Sequence, residues 1–177
     1  QDVQACIERD LALLLESSVR FELIALDQVS SKLFGTSDVW RCLDDLDISI
    51  EVDAPSRELL IHDGSEIVAQ TYVSHLFKSN CPVTAQPDWA SIWIEYHGQA
   101  LSEANLLSYL CSFRNHQGFH EQCVERIFMD IWQMLHPEKL SVYARYTRRG
   151  GLDINPWRSS YKAQPPQNLL DNRWVRQ

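Results

Sequence analysis

The chain has 177 residues, room for one domain or two small ones. Hydrophobic residues make up 45% and charged residues 23%, the balance of an ordinary folded protein. A formal net charge of −8 repels phosphate and argues against a general nucleic-acid or membrane-surface binder.

In chain order, residues 2–16 carry Val3, Ile7, Leu11, Leu14 and Leu15 at spacings of three and four, which predicts a helix. Residues 19–26 alternate and predict a strand, Gly35-Thr36-Ser37 a turn, and Ile48, Ile50 and Val52 a second strand. Ala54-Pro55-Ser56 is a plausible boundary. Residues 66–78, rich in Val, Ile, Thr and Tyr, and residues 90–97, with Ile92, Ile94 and Tyr96 on one face, predict two more strands around a polar, Pro-broken connection. Ser102 is a fair N-cap for a helix bearing Leu106, Leu107, Leu110 and Phe113. Gly118 separates it from a helix near 119–135, with Cys123, Ile127, Ile131, Met134 and Leu135 inward, which Pro137 ends. Residues 140–147 alternate again, Gly150-Gly151 breaks that strand, and a further strand is expected near 152–158. From Ala163 onward no regular structure is expected.

No apolar run nears the roughly 18 residues that span a bilayer, and no secretory signal pattern opens the chain. Five cysteines, at 6, 42, 81, 111 and 123, are odd in number and scattered, which suits reduced thiols in the cytoplasm better than a disulfide framework. Charge is uneven. The window 139–162 is +5 and the remainder −13. Such a segment suits a small anionic ligand, or is a solvated, charge-balanced surface.

Cys-Ile-Glu-Arg at 6–9 returns as Cys-Val-Glu-Arg at 123–126, each on a predicted helix that runs toward a strand. Duplication of one supersecondary unit would give that echo, as would chance. Under duplication the first copy lacks its opening strands, and with Gln rather than Met at residue 1 the chain reads as the later part of a longer protein.

Among the chemistry-bearing residues, Cys6 and Cys123 lie on apolar helix faces, whereas Cys81 lies in the polar segment Lys78-Ser79-Asn80-Cys81-Pro82. A nearby Lys favours the thiolate. A hairpin would bring Asp88 toward Cys81, and a thiolate with a carboxylic acid can add to an unsaturated carbon and protonate its partner atom. An ordinary loop cysteine is the alternative. His120-Glu121 opens a helix, where the acid either answers the helix dipole or accepts hydrogen bonds from a base-like ring. Cys111, His116, His120 and Cys123 are zinc-ligand types at the spacing of no common finger. Thr147-Arg148-Arg149-Gly150-Gly151 offers a cationic fork and accessible backbone to phosphate, without a GxGxxG or Walker pattern.

Taken together, three blocks resemble one family. Phe77 to Pro82 with Gln86-Pro87-Asp88-Trp89 resembles the nucleophile segment of NADPH-dependent 7-cyano-7-deazaguanine reductases, the nitrile reductases of queuosine biosynthesis, of the long two-module kind. Ser112 to His116 with Phe119 to Arg126 resembles a second block, and Tyr143 to Arg158 a third. The resemblance implies an α+β tunnelling fold, antiparallel strand pairs flanking two helices. It implies one complete unit over 56–177, preceded by the end of another over 1–55. It implies Cys81 as the nucleophile forming a covalent thioimide, Asp88 as proton donor, His120 and Glu121 in the substrate pocket, and Arg149 and Gly150 at NADPH. The implied product is the primary amine, made without a metal in a pocket that excludes water. The implied setting is a cytoplasmic homo-oligomer, at least a dimer, in tRNA modification without direct nucleic-acid or membrane contact. The family's motif beginning Glu-Ser-Lys or Glu-Leu-Lys has no counterpart here, since Ser31-Lys32-Leu33-Phe34 lacks the leading Glu. The isolated chain is therefore expected to turn over weakly or not at all. Two other readings stand beside this one: a zinc-dependent, cyclohydrolase-like enzyme of the same fold, and a catalytically silent module.

Overall fold

The computed structural model describes residues 3–21, 40–50, 53–162 and 164–165. The chain divides into two compact units, Gln1–Ser31 and Lys32–Gln177.

In the first unit the expected helix forms as α1 (Val3–Leu15). Glu8 Oε1 accepts the Phe21 N–H at 2.8 Å, and Arg9 and Asp10 pair at 3.0 Å. None of its residues is buried, and Val3, Leu14 and Leu15 are more than half exposed. The periodicity thus gave the helix correctly, but its apolar face does not enter a core. Residues 19–21 are not in a strand, and the rest of the strand expected at 19–26, like the turn at 35–37 and Ser31 to Phe34, lies outside the described residues.

The second unit is an α+β layer structure. Its sheet runs β1 (Trp40–Cys42), β2 (His62–Asn80), β3 (Pro87–Leu101), β4 (Lys139–Tyr146), β5 (Trp157–Ser159) in spatial order. β1 pairs parallel with β2, and every other pairing is antiparallel. α2 (Glu103–Cys111) and α3 (His120–Leu135) follow β3 and precede β4. The strand-strand-helix-helix-strand order is the one the tunnelling-fold expectation requires. No helix among the described residues is long and apolar enough to cross a membrane.

The expected strand at 48–52 is absent at residues 48–50, and 51–52 lie outside the described residues. Leu46 and Ile48 are partly buried against the core while Asp47 and Ser49 face solvent, but Ile50 is exposed, so the alternation stops at Ile48. Period-two burial without a ladder partner is coil. β1 was not foreseen, since three residues are too short to display a period. The tail expected to be irregular lies outside the described residues apart from 164–165.

The two helices cover one sheet face. Ile92, Ile94 and Tyr96 of β3 and Leu140, Val142, Ala144 and Tyr146 of β4 meet Leu106, Leu110, Ile127 and Ile131 there. The other parity forms an aromatic patch on the opposite face, with Val73, Trp93 and Tyr143 buried beside Trp40 and Trp157. α2 starts after Ser102, whose hydroxyl turns to Asn105 Oδ1 at 3.2 Å rather than capping a backbone N–H. α3 opens with Gln122 Oε1 accepting the Phe119 N–H at 3.2 Å. It ends at His136, in the left-handed region with φ 44°, before Pro137.

One irregularity positions the functional end of this sheet. The β2–β3 register shifts between Ser74 and Phe77. Tyr72 and Phe77 are an odd number of residues apart, yet both lie in the helix-covered core. The bulge reverses parity, so Ser79 then faces inward opposite Asp88. Phe77 is fully buried between the rings of Phe113 at 5.4 Å and Tyr146 at 6.1 Å. Phe77→Ala is expected to cost about 3–5 kcal/mol of unfolding free energy. Ile67→Ala, on the exposed part of the same strand, is expected to cost about 1 kcal/mol or less. Urea unfolding midpoints at unchanged slope measure both.

Candidate active site

The core row of β3, read backward from Tyr96 through Ile94, Ile92 and Ala90, ends in Asp88, whose side chain is 2% exposed. A carboxylate at the end of an apolar row has to be paired. Two groups approach it. Arg149 Nε, from the turn after β4, lies 3.2 Å from Oδ1, and His120 Nε2, from the first residue of α3, lies 3.3 Å from Oδ2. Neither contact is a well-directed hydrogen bond, and the always-charged guanidinium supplies the ion pair. The His120 ring packs against Tyr146 with centroids 4.1 Å apart. Burial pushes the Tyr146 hydroxyl well above its ordinary value, and Ser79 and Cys123 are its polar neighbours beneath the carboxylate.

Cys81 follows immediately in the β2–β3 connection. Asn80 pairs with Pro87, so residues 81–86 form the turn, closed by Cys81 N–H to Gln86 O and Ala85 N–H to Cys81 O, both 2.9 Å. Ala85 takes the left-handed conformation, φ 56°. The turn folds back over its own cysteine. The Thr84 hydroxyl, the backbone N–H groups of Thr84 and Val83, and the Arg149 guanidinium all donate toward the sulfur and bring its pKa down to about 7. By contrast, burial pushes the thiols of Cys111 and Cys123 up. The expected thiolate is thus favoured by different donors from the one foreseen. Lys78 turns instead to Arg114 O at 2.7 Å and Asn80 Oδ1 at 3.0 Å. These bonds, with Asn80 N–H to His116 O at 2.9 Å, tie the strand end to the α2–α3 connection.

Arg149 joins the two halves of the site. Its guanidinium reaches Asp88 with Nε, Gln86 Oε1 with Nη1, and Thr84 Oγ1 with Nη2 at 3.2 Å. The structure therefore brings Cys81, Asp88, His120 and Arg149 into one network. Thr84 and Gln86 belong to it and were not singled out from the sequence; their placement depends on the closure of the turn. Glu121, one residue beyond His120, is exposed and lines a groove of about 650 Å³ with Val124, Glu125, Met129, Trp157 and Arg158. Gly150 and Gly151 stand in the left-handed region, φ 58° and 81°, with nothing within 4 Å of where a Cβ would stand.

The basic window resolves into pairs. Arg148 meets Asp153 at 2.6 Å, Arg158 meets Glu125 at 3.4 Å, and Lys162 meets Glu95 at 2.6 Å. Among the described residues, Cys111, His116, His120 and Cys123 do not gather as a metal-ligating group.

Alkylation of Cys81, read residue by residue by mass spectrometry, is expected to rise with pH through a midpoint near 7. An ordinary thiol titrates about two units higher. Thr84→Val removes the largest cause, so the midpoint is expected to move up and the rate at pH 7 to fall several-fold. An unchanged profile would contradict this assignment of donors.

Residues 87–165 match the family model described as QueF-like protein. Among solved structures, the chain is similar to the archaeosine synthase QueF-Like in its apo form, at 15% sequence identity and a TM-score of 0.48, over 58% of this chain and 100% of that one. The matched segment contains Asp88, His120 and Arg149, and Cys81 lies six residues before it.

Proposed function

We propose that the chain is the catalytic part of an NADPH-dependent nitrile reductase that converts 7-cyano-7-deazaguanine to 7-aminomethyl-7-deazaguanine. The QueF-like match supports an enzyme of the deazaguanine pathway acting on a small molecule. The observation that carries the finer reading is a thiol whose pKa is lowered to about 7, linked through Arg149 to a buried carboxylate.

In this reading the Cys81 thiolate forms a C–S bond to the nitrile carbon. The nitrile nitrogen takes a proton from Asp88, beside which His120 Nε2 lies at 3.3 Å. The product of addition is a neutral thioimide. Arg149 keeps the carboxylate in place and stabilises the thiolate before attack and after its release. Glu121, in its groove beside Trp157, is the acid that would accept hydrogen bonds from the base.

The residues beyond β4 fit a dinucleotide. The backbone at Gly150 and Gly151 is open, and the Arg148–Asp153 pair is exposed. Such an exposed pair is weak and can be exchanged for a phosphate contact. NADPH bound there, against Arg149 and Gly150, would supply the two hydrides that the reduction to the amine requires. Under the same reading residues 1–55 are the end of a first unit, and 56–177 are a second that assembles at least as a dimer.

Intact mass after incubation with 7-cyano-7-deazaguanine tests the proposal. A substrate-sized adduct on folded chain, absent in Cys81→Ala, is the expected result. No adduct from folded protein would overturn the thioimide and favour a silent module. With an adduct in hand, NADPH consumption is expected to be weak for this chain alone.

A further inference from the structure

On the second unit, away from the residues of the candidate active site, the end of β1 meets β2. Cys42 closes β1, Asp44 follows in the next turn, and His75 stands at the β2 bulge. One ligating atom from each, the Cys42 sulfur, an Asp44 carboxylate oxygen and a His75 ring nitrogen, all lie within 4.8 Å of one another.

The backbone holds this group together. Leu43 N–H donates to Val73 O at 2.9 Å, which fixes the exit of β1 against β2. Asp44 is clamped: Oδ1 accepts the Ser74 hydroxyl at 2.7 Å, and Oδ2 accepts the His75 N–H at 3.0 Å. A carboxylate has about four lone-pair positions, so these bonds orient it and leave capacity for a cation. His75 Nδ1 lies 2.7 Å from Ser91 Oγ, and the ring stands edge-on to Trp93. A polar partner on one ring nitrogen is how ligating histidines are oriented. Cys42 is exposed, so its sulfur can change rotamer at little cost.

We propose that Cys42, Asp44 and His75 form a binding site for a zinc-type divalent ion, outside the chemistry of Cys81. Thiolate, imidazole and carboxylate together select zinc over magnesium or calcium, which take oxygen ligands. Metal–ligand bonds of about 2.0–2.3 Å place tetrahedral ligand atoms about 3.4–3.8 Å apart. The three atoms need to close by at most about 1.0–1.4 Å, and rotamer freedom of the exposed Cys42 contributes to that movement. Three protein ligands leave a fourth position for water. The bound ion would fasten the short parallel β1 to β2 beside the bulge that sets the parity of the catalytic strand end, and binding would release the Cys42 proton to solvent.

Cobalt(II) is the probe. Titrated into chelator-treated full chain under reducing conditions, it is expected to give a saturable thiolate-to-cobalt charge-transfer band at one ion per chain, reversed by zinc. Cys42→Ser is expected to abolish the band. His75→Ala is expected to weaken binding at least tenfold, and Cys81→Ala to leave it unchanged. Because Cys42 is exposed, Cys42→Ser should keep the wild-type far-ultraviolet circular dichroism, which separates loss of the site from loss of the fold. Absence of a saturable band, or a band that survives Cys42→Ser or disappears in Cys81→Ala, would overturn the site.

Discussion

A carboxylate placed where the core row of β3 would hold an apolar side chain governs the functional end of this molecule. Asp88 shares the face of Ala90, Ile92 and Ile94 and is almost completely buried. Burial of an unpaired charge costs several kcal/mol, so the surrounding elements have to deliver partners. α3 begins at the residue that reaches Oδ2, and the turn after β4 brings the guanidinium that reaches Oδ1. That same guanidinium extends to the 81–86 turn, so the pairing demand of one carboxylate fixes the surroundings of the cysteine.

The parity reversal in β2 is the second element of this arrangement. Without the shift between Ser74 and Phe77, the side chains beyond it would exchange faces. Phe77 would leave the aromatic contact with Phe113 and Tyr146, and Ser79 would no longer face Asp88. The bulge also presents His75 toward Asp44, so one irregularity shapes both the candidate-site end of the strand and the proposed ion site. The separation of cysteine roles follows from position. Cys111 and Cys123 are enclosed by the helix layer and have raised pKa values, while Cys81 sits among N–H and O–H donors.

Residues 90–97, 119–135 and 140–147 were legible from the sequence because each buries one face along its length, and 66–78 was legible from its β-branched and aromatic content despite the bulge. Residues 66–78, 90–97, 119–135 and 140–147 all lie within the regular elements that form, apart from Phe119, the cap of α3, and Thr147, one residue past β4. Short or unpartnered segments were not legible. β1 is too brief to show a period, and the segment after Ile48 has no ladder partner, with Ile50 exposed. At the site, Cys81, Asp88, His120 and Arg149 were each named from residue type and resemblance, and the network joins them. Thr84 and Gln86 escaped because a turn's hydrogen bonds follow from its closure, which carries no periodic signal. The excess positive charge at 139–162 was read from a sum, whereas its partners, Asp88, Glu95 and Glu125, come from elsewhere in the sequence.

Asp88, buried, and Arg149, partly buried, act as one ion-paired unit on which the site is built. A double-mutant cycle on unfolding free energy, with Asp88→Asn, Arg149→Gln and the double variant, measures it directly. The account predicts a coupling of about 1–3 kcal/mol, because each single change leaves the other partner uncompensated. Additivity to within about 0.5 kcal/mol would show that the two side chains do not depend on one another and would contradict it.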